Sequence, residues 1–409
     1  MLLSILSIGD ELLKGTIANT NAATIGKELI RHGVQPDRQL AVPDTAADIK
    51  DGLDTLLRRA DIVVCTGGLG PTTDDLTVET VAAHFGLELR VDQDVKRHVA
   101  TSWGRLGLPG TPPENLYKQA VVPCGAEIFP NRNGTAPGVC VRSGGKIVYL
   151  LPGPPFEMGP MFKEDMLPQI LAANPDKERF EVIQTYGVPE SRLQDLTQTT
   201  LGAAAAKLNV AYRAEPGACE LTLSGKDAAL VEEMAAVMRR ELGDRALPSG
   251  MRNVVEEMSE VFKRCGLTMA TAESCTGGMV AVAITDYPGV SAFFKGSVVA
   301  YSNELKQALL GVRPETLEQH GAVSEECAKE MVEGLCARLG VDAGVSITGI
   351  AGPDGGTAEK PVGLVYVAAK LGDQLSVKRH TSRGSREAIR RRALFLALNQ
   401  LRELYLPLR

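Results

Sequence analysis

Apolar and polar positions in the first third of the chain follow two rhythms. Short apolar runs, Leu3 to Ile8, Asp61 to Cys65 and Lys146 to Leu151, have the length and composition of buried strands. Between them, Asn21 to His32, Ile49 to Arg59 and Leu76 to Phe85 carry apolar residues at helical spacing, the first stopping at Gly33. Buried strands alternating with helices predict a parallel sheet covered on both faces. The Pro/Gly-rich stretch Leu108 to Pro113 reads as a loop between helices.

Around Leu171 to Glu178 the composition turns polar, with Asn174-Pro175-Asp176, and a domain boundary is expected there. Beyond it, strands at Phe180 to Tyr186, Asn209 to Arg213 and Cys219 to Ser224, with helices at Glu190 to Leu201 and Asp227 to Leu242, predict a small α+β module. Leu247 to Arg252 reads as a second linker. The remainder predicts helices at Val254 to Cys265, Glu325 to Leu339 and Ser385 to Leu404, and strands at Leu267 to Ala270, Ala343 to Ile347 and Gly363 to Ala369. The expected organisation is α/β with three domains: residues 1–172, 173–250 and 251–409.

The length of 409 residues, at roughly 150 per domain, agrees with two or three domains. Apolar residues make up 44% and charged residues 23%, too apolar for disorder. Lys plus Arg is 44 against 50 Asp plus Glu, a formal charge of −6, so a basic nucleic-acid footprint is missing and such a partner is not expected. No run of 18 apolar residues is present to span a bilayer. The opening MLLSILSIGDELLKG lacks a basic n-region and reads as a first strand, so the expected location is cytoplasmic. The 8 cysteines include no C-x-x-C pair, and the 5 histidines form no cluster, which favours reduced thiols and argues against structural zinc.

Two segments carry candidate chemistry. Thr66 to Asp75 (TGGLGPTTDD) follows a buried strand and precedes a helix. Gly67, Gly68 and Gly70 let backbone approach an anion, and Thr72 can donate to phosphate. Asp74 and Asp75 would repel a bare phosphate, so either a divalent cation lies between, or they meet a base or ribose, or Asp74 merely caps a helix. The spacing fits neither G-x-x-x-x-G-K-[ST] nor G-x-G-x-x-G. Asp10 and Glu11 with Asn21, and Gly153 with Glu157, follow two other strands and would converge on the same sheet end.

The second segment, Thr271 to Gly278 (TAESCTGG), joins a strand to a helix. Ser274, Cys275 and Thr276 are candidate nucleophiles beside backbone N–H donors suited to an oxyanion. Cys275 equally suits a buried core position. A base is needed: no histidine is well placed in sequence, and Lys306 is the suggestive lysine, competent only if desolvation or nearby positive charge keeps it neutral; on its residues alone it otherwise reads as a solvated surface lysine. Thr348-Gly349 opens another Gly-rich strand end, and Arg383, Arg386 and Arg390 bring positive charge.

These residues resemble the CinA (competence/damage-inducible) family over essentially the whole chain. Ser7 to Leu12, Thr66 to Asp75 and Pro152 to Pro155 resemble its molybdopterin-binding (MoCF-like) α/β fold. Ala272 to Gly278, Tyr301 to Asn303, Gly321 to Ser324 and Thr348 to Gly356 resemble its nicotinamide mononucleotide amidase domain. The resemblance implies hydrolysis of nicotinamide mononucleotide to nicotinate mononucleotide and ammonia, with Ser274 as nucleophile, Lys306 as partner, and Tyr301 and Thr348 beside them. Ser291, Thr276, Gly277, Gly278 and Gly349 would meet substrate, Arg386 or Arg390 its phosphate, and no cofactor is implied there. For the first domain it implies cleavage of ADP-ribose to AMP and ribose 5-phosphate with a divalent metal (Mg, Mn or Co). Asp10, Glu11, Asp74, Asp75 and Glu157 are candidate ligands, and Gly67, Gly68, Gly70, Thr72, Asn21 and Gly153 the substrate cradle. A homodimer and a KH-like middle module are also implied, although that module has no G-x-x-G clamp in a basic setting. The alternatives are a molybdopterin- or pterin-binding protein and a non-catalytic scaffold for competence or DNA-damage proteins.

Overall fold

The computed structural model describes residues 1–107, 109–174, 178–215, 217–251 and 253–409. The expected loop at 108–113, boundary at 174–176 and linker at 247–252 therefore each fall partly outside the described residues. The chain forms two compact units, Met1–Phe180 with Gly225–Ala228, and Glu181–Ser224 with Ala229–Arg409. Most of the segment expected as a middle module falls in the second unit.

The first unit holds a six-stranded sheet of order β2-β1-β3-β8-β7-β6 and a small pair, β4 with β5. The strands are β1 (Leu3–Ile8), β2 (Arg38–Val42), β3 (Ile62–Thr66), β4 (Leu89–Val91), β5 (Val121–Pro123), β6 (Glu127–Phe129), β7 (Gly138–Ser143) and β8 (Lys146–Leu151). β1 runs parallel to β2 and β3, and β3 to β8, but β7 pairs antiparallel with β8 and β6 with β7. The sheet is thus mixed, where the alternation of elements predicts a wholly parallel one. The physical reason is Gly144-Gly145: both have positive φ, so two residues suffice to turn β7 into β8 without a crossover helix. Side chains of β1 alternate between two cores. Leu3 and Ile5 pack with the helix Thr20–Arg31, and Leu6 and Ile8 with the helix Ala46–Leu57.

The second unit contains a three-stranded sheet, β9 (Arg179–Tyr186), β10 (Asn209–Glu215) and β11 (Ala218–Gly225), in the order β10-β11-β9. It packs with the helices Glu190–Leu201 and Ala228–Leu242 through a core that includes Ile183, Leu193, Leu221 and Val231. A five-stranded sheet follows, β13-β12-β14-β15-β16, from β12 (Met269–Glu273), β13 (Phe294–Val299), β14 (Ala343–Gly349), β15 (Leu364–Leu371) and β16 (Gln374–Thr381). β12 is parallel to both neighbours, and β15 runs antiparallel to β14 and β16 on either side of it. The helix Glu325–Leu339 covers one face, and Val254–Cys265 with Arg386–Tyr405 the other. Buried Glu257 and Arg402 form an ion pair that locks these last two helices together, with Tyr405 donating to the same carboxylate at 3.2 Å. Among the described residues, no helix is long and apolar enough to cross a membrane.

Candidate functional site

Three parallel strands, β13, β12 and β14, end side by side, and this edge gathers the chemistry of the second unit. The chain leaves β12 at Glu273 into a tight turn. Gly277 (φ 60) and Gly278 (φ 95) lie in the left-handed region there, before the helix Met279–Thr285 begins. The Ser274 amide donates to Ile347 O of β14 at 3.0 Å, and the Ala300 amide to Glu273 O at 2.9 Å. Ser302 then caps the helix Asn303–Leu310 by accepting from the Leu305 amide, and the first turn of that helix sends Lys306 back under the edge.

Lys306 is 1% exposed, and its Nζ lies 3.1 Å from Ser274 Oγ, 2.9 Å from Ala300 O and 3.1 Å from Tyr301 O. Carbonyl oxygens only accept, so two N–H bonds must point at them. In the neutral amine the lone pair is then left for the third contact, the Ser274 hydroxyl. Burial lowers the Lys306 pKa below its ordinary value, which favours that neutral form. Ser274 is the candidate nucleophile that has a hydrogen-bonded base. The Cys275 thiol is pushed by burial up to about 11 and stays protonated at neutral pH. Thr276 Oγ1 is buried with no partner.

Glu273 is a residue that motif reasoning passes over. It is fully buried, and its carboxylate accepts the amides of Gly278 (2.9 Å), Val280 (3.1 Å) and Ala281 (2.9 Å) at the start of the next helix. The Thr271 hydroxyl also donates to it. Spacing alone could not reveal this; a carboxylate directly before a strand-to-helix turn was the available sign.

The remaining expected residues divide. Thr348 is buried one residue past Ile347 and donates to Ala322 O at 2.6 Å, with Gly349 next to it. Tyr301 holds Lys306 through its carbonyl, while its side chain is 60% exposed and accepts from Arg386 at 3.1 Å. Arg386 also donates to Gly352 O at 2.6 Å. Arg390 donates to the carbonyls of Cys275 (3.0 Å) and Thr276 (2.8 Å), so its guanidinium is committed to the turn. Ser291 is exposed in a short turn just before β13, and since Met269 pairs with Phe294 while Glu273 pairs with Val299, it lies at the opposite end of the strands from Ser274.

In the first unit, a cleft of about 430 Å³ opens beyond the ends of β1, β3 and β8, lined by Glu11, Asp44, Gly67–Gly70, Asp74, Gly153 and Glu157, among others. Gly67 has φ 106, and a Cβ there would lie 2.1 Å from Ile8 O, so the loop can pass the β1 end only as glycine. Asn21 ties the strand ends together, donating to Thr66 Oγ1 at 2.9 Å and to Gly153 O at 2.7 Å.

The five expected metal ligands do not act alike. Asp10 pairs with Lys14 at 2.7 Å, Asp75 accepts the Thr72 amide at 2.8 Å, and Glu157 accepts from Asn131 at 2.6 Å. Glu11 and Asp74 line the cleft with Asp44, a carboxylate that the motifs do not mark. Burial, together with the charges of Glu11, Asp10 and Asp74, raises the Asp44 pKa. No group of three or more His, Cys, Asp or Glu among the described residues is arranged to enclose an ion by itself. All-oxygen donors with mutually repelling charge nevertheless suit a hard cation that completes its shell from water and ligand phosphates.

Fold and sites together define a protein that joins a molybdopterin-binding type of domain to a second α/β domain carrying a serine–lysine pair. Residues 4–172 match the family described as "Probable molybdopterin binding domain", and residues 251–405 match the "CinA C-terminal domain". A relative from Thermoanaerobacter pseudethanolicus bearing the competence-damage inducible name is 39% identical over 99% of this chain and 98% of its own. A "CinA-like protein" of Dictyoglomus thermophilum is 38% identical over 97% and 98%. The solved competence/damage inducible protein CihA of Agrobacterium tumefaciens is 40% identical, covering 38% of this chain and 99% of that one, with a TM-score of 0.35. The chain belongs to the CinA family.

Proposed function

We propose that the Ser274 site is an amidase that hydrolyses nicotinamide mononucleotide to nicotinate mononucleotide and ammonia. The observation that carries this reading is the 3.1 Å contact between buried Lys306 Nζ and Ser274 Oγ. Lys306 takes the hydroxyl proton as Ser274 Oγ attacks the carboxamide carbon. Of the 274–278 turn, the Ser274, Gly277 and Gly278 amides already have acceptors, so the backbone N–H groups of Cys275 and Thr276 would hold the tetrahedral oxyanion. Lys306 returns the proton to the leaving nitrogen, ammonia departs, and water then cleaves the Ser274 ester by the same route. No step requires a metal. Arg386 is the better candidate for the substrate phosphate, because Arg390 spends both its contacts on turn carbonyls, whereas Arg386 spends one on Gly352 O and the other on the exposed Tyr301 hydroxyl, which a phosphate could replace.

We further propose that the first cleft hydrolyses ADP-ribose to AMP and ribose 5-phosphate. Glu11, Asp44 and Asp74 would hold a divalent cation, which when bound would neutralise diphosphate charge. Asn21 fixes the Gly153 end, and the glycine loop brings backbone close to the ligand. With these activities we read the chain as a cytoplasmic homodimer in which the β9–β11 segment is a KH-like module. Incubation with both nucleotides, with and without chelator, tests the pair. Ammonia release that survives chelation, with AMP formation that does not, is expected. Pterin binding without turnover would favour the pterin-binding reading, and no turnover of either nucleotide the scaffold.

A further inference from the structure

The nucleophile turn is gripped from two sides, and the grip bears on where an oxyanion could be held. Glu273 consumes the amides of Gly278, Val280 and Ala281, and the Met279 amide closes on Thr276 O at 3.3 Å, so each of the four amides from 278 to 281 already has an acceptor. On the other side Arg390 takes the carbonyls of Cys275 and Thr276. It packs closely against the turn: a Cβ added at Gly277 would stand 3.4 Å from its Nη2. In a trans peptide the C=O and the following N–H point in opposite directions. Anchoring Cys275 O on Arg390 therefore turns the Thr276 N–H away from the guanidinium. Among the described residues that amide meets no acceptor, whereas the Gly277 amide is closed on Ser274 O at 3.1 Å.

Resting on the amidase reading, we infer that Arg390 is a positioning residue that aims the Thr276 amide as an oxyanion donor, and is not a ligand of the substrate phosphate. A phosphate ligand and an oxyanion positioner act on different kinetic constants. Losing the first weakens binding of the phosphorylated substrate alone. Losing the second slows the chemical step whatever the substrate carries.

The test compares the full-length chain with Arg390→Ala on two substrates differing only in the 5′-phosphate, nicotinamide mononucleotide and nicotinamide riboside. A third arm follows labelling of Ser274 by a fluorophosphonate. There the Oγ–P bond forms as P–F breaks, fluoride leaves, and the hydroxyl proton passes to Lys306. The expected result is a fall of about 100-fold in kcat on every substrate that wild type turns over, with little change in KM, and a similar fall in labelling rate. Guanidinium ion in the buffer should restore part of both, which a misfolded variant would not allow. A loss confined to KM for the phosphorylated substrate, or an unchanged labelling rate, overturns the inference. If wild type turns over neither substrate the amidase reading falls, and the labelling arm still decides the role of Arg390.

Discussion

Glu273 offers the most quantitative test of how the turn is built. Its Oε2 receives the Gly278 and Val280 amides, and its Oε1 receives the Ala281 amide with the Thr271 and Ser297 hydroxyls. In Glu273→Gln the amide oxygen can keep the first pair. The NH₂ then stands in place of Oε1, where the two hydroxyls can rotate to accept from it, and the Ala281 amide loses its partner. Ala281 is half-buried, so the cost is about 1.5 kcal/mol. Glu273→Leu leaves all three amides without an acceptor. Val280 is fully buried and Gly278 half-buried, which brings the expected loss to about 4 kcal/mol. Hydrogen exchange of the segment spanning residues 276–285, read by mass spectrometry, should accelerate about 10-fold in the Gln variant and about 1000-fold in the Leu variant. Equal exchange in the two variants, or wild-type protection in the Leu variant, would mean that the three amides are satisfied elsewhere and that Glu273 does not hold the turn.

Other consequences follow from the same geometry. Because burial lowers the Lys306 pKa, kcat/KM for the amide should rise with pH through that lowered value and level off below 10.5; a limb centred at or above 10.5 would contradict a desolvated base. The same shift means the unfolded chain binds the extra proton between the lowered value and 10.5, so the stability contribution of Lys306 is least at low pH and grows across that window. Urea unfolding of wild type and Lys306→Met over this range should differ in pH slope. Gly67→Ala, whose Cβ would meet Ile8 O, should cost about 3 kcal/mol or more, against about 1 for Gly86→Ala, where φ is 64 and the space is open. The fluorescence of Trp103, the single tryptophan, reads the first unit directly. Arg402→Leu leaves the buried Glu257 carboxylate with only the Tyr405 hydroxyl and the partly exposed Arg409, and should cost about 3 kcal/mol, much of it recovered when Glu257→Leu is added; equal loss in the single and double variants would argue against that.

What could be read from the sequence follows burial and period. Lys146–Leu151, Glu190–Leu201, Val254–Cys265 and Glu325–Leu339 have the bounds their patterns predict, because each presents an unbroken apolar run or one apolar stripe between clear stops. β2 and β16 escaped notice because they are edge strands with polar, largely exposed positions, which periodicity cannot separate from loop. The antiparallel β7 hides in a Gly-rich context where two glycines do the work of a crossover. At the Ser274 site, the strand-to-helix setting was legible, whereas the approach of Lys306 depends on β13 returning beside β12, a register no local pattern encodes. Glu273 was missed because its amide partners at 278, 280 and 281 reach it only once the glycine turn folds the chain back, and Asp44 because its partner, the Asp10 amide, follows another strand. Ser291 carries no local sign that it belongs at the far end of the strands.

In the proposed amidase mechanism Ser274, activated by Lys306, carries the acyl group. Acid-quenching the chain during turnover of nicotinamide mononucleotide and mapping the added mass by peptide sequencing tests it most directly. The expected result is a nicotinate mononucleotide ester on Ser274 that is missing in Ser274→Ala, together with loss of ammonia release and intact AMP formation from ADP-ribose. An adduct on Cys275, or ammonia release at the wild-type rate from Ser274→Ala, would contradict it.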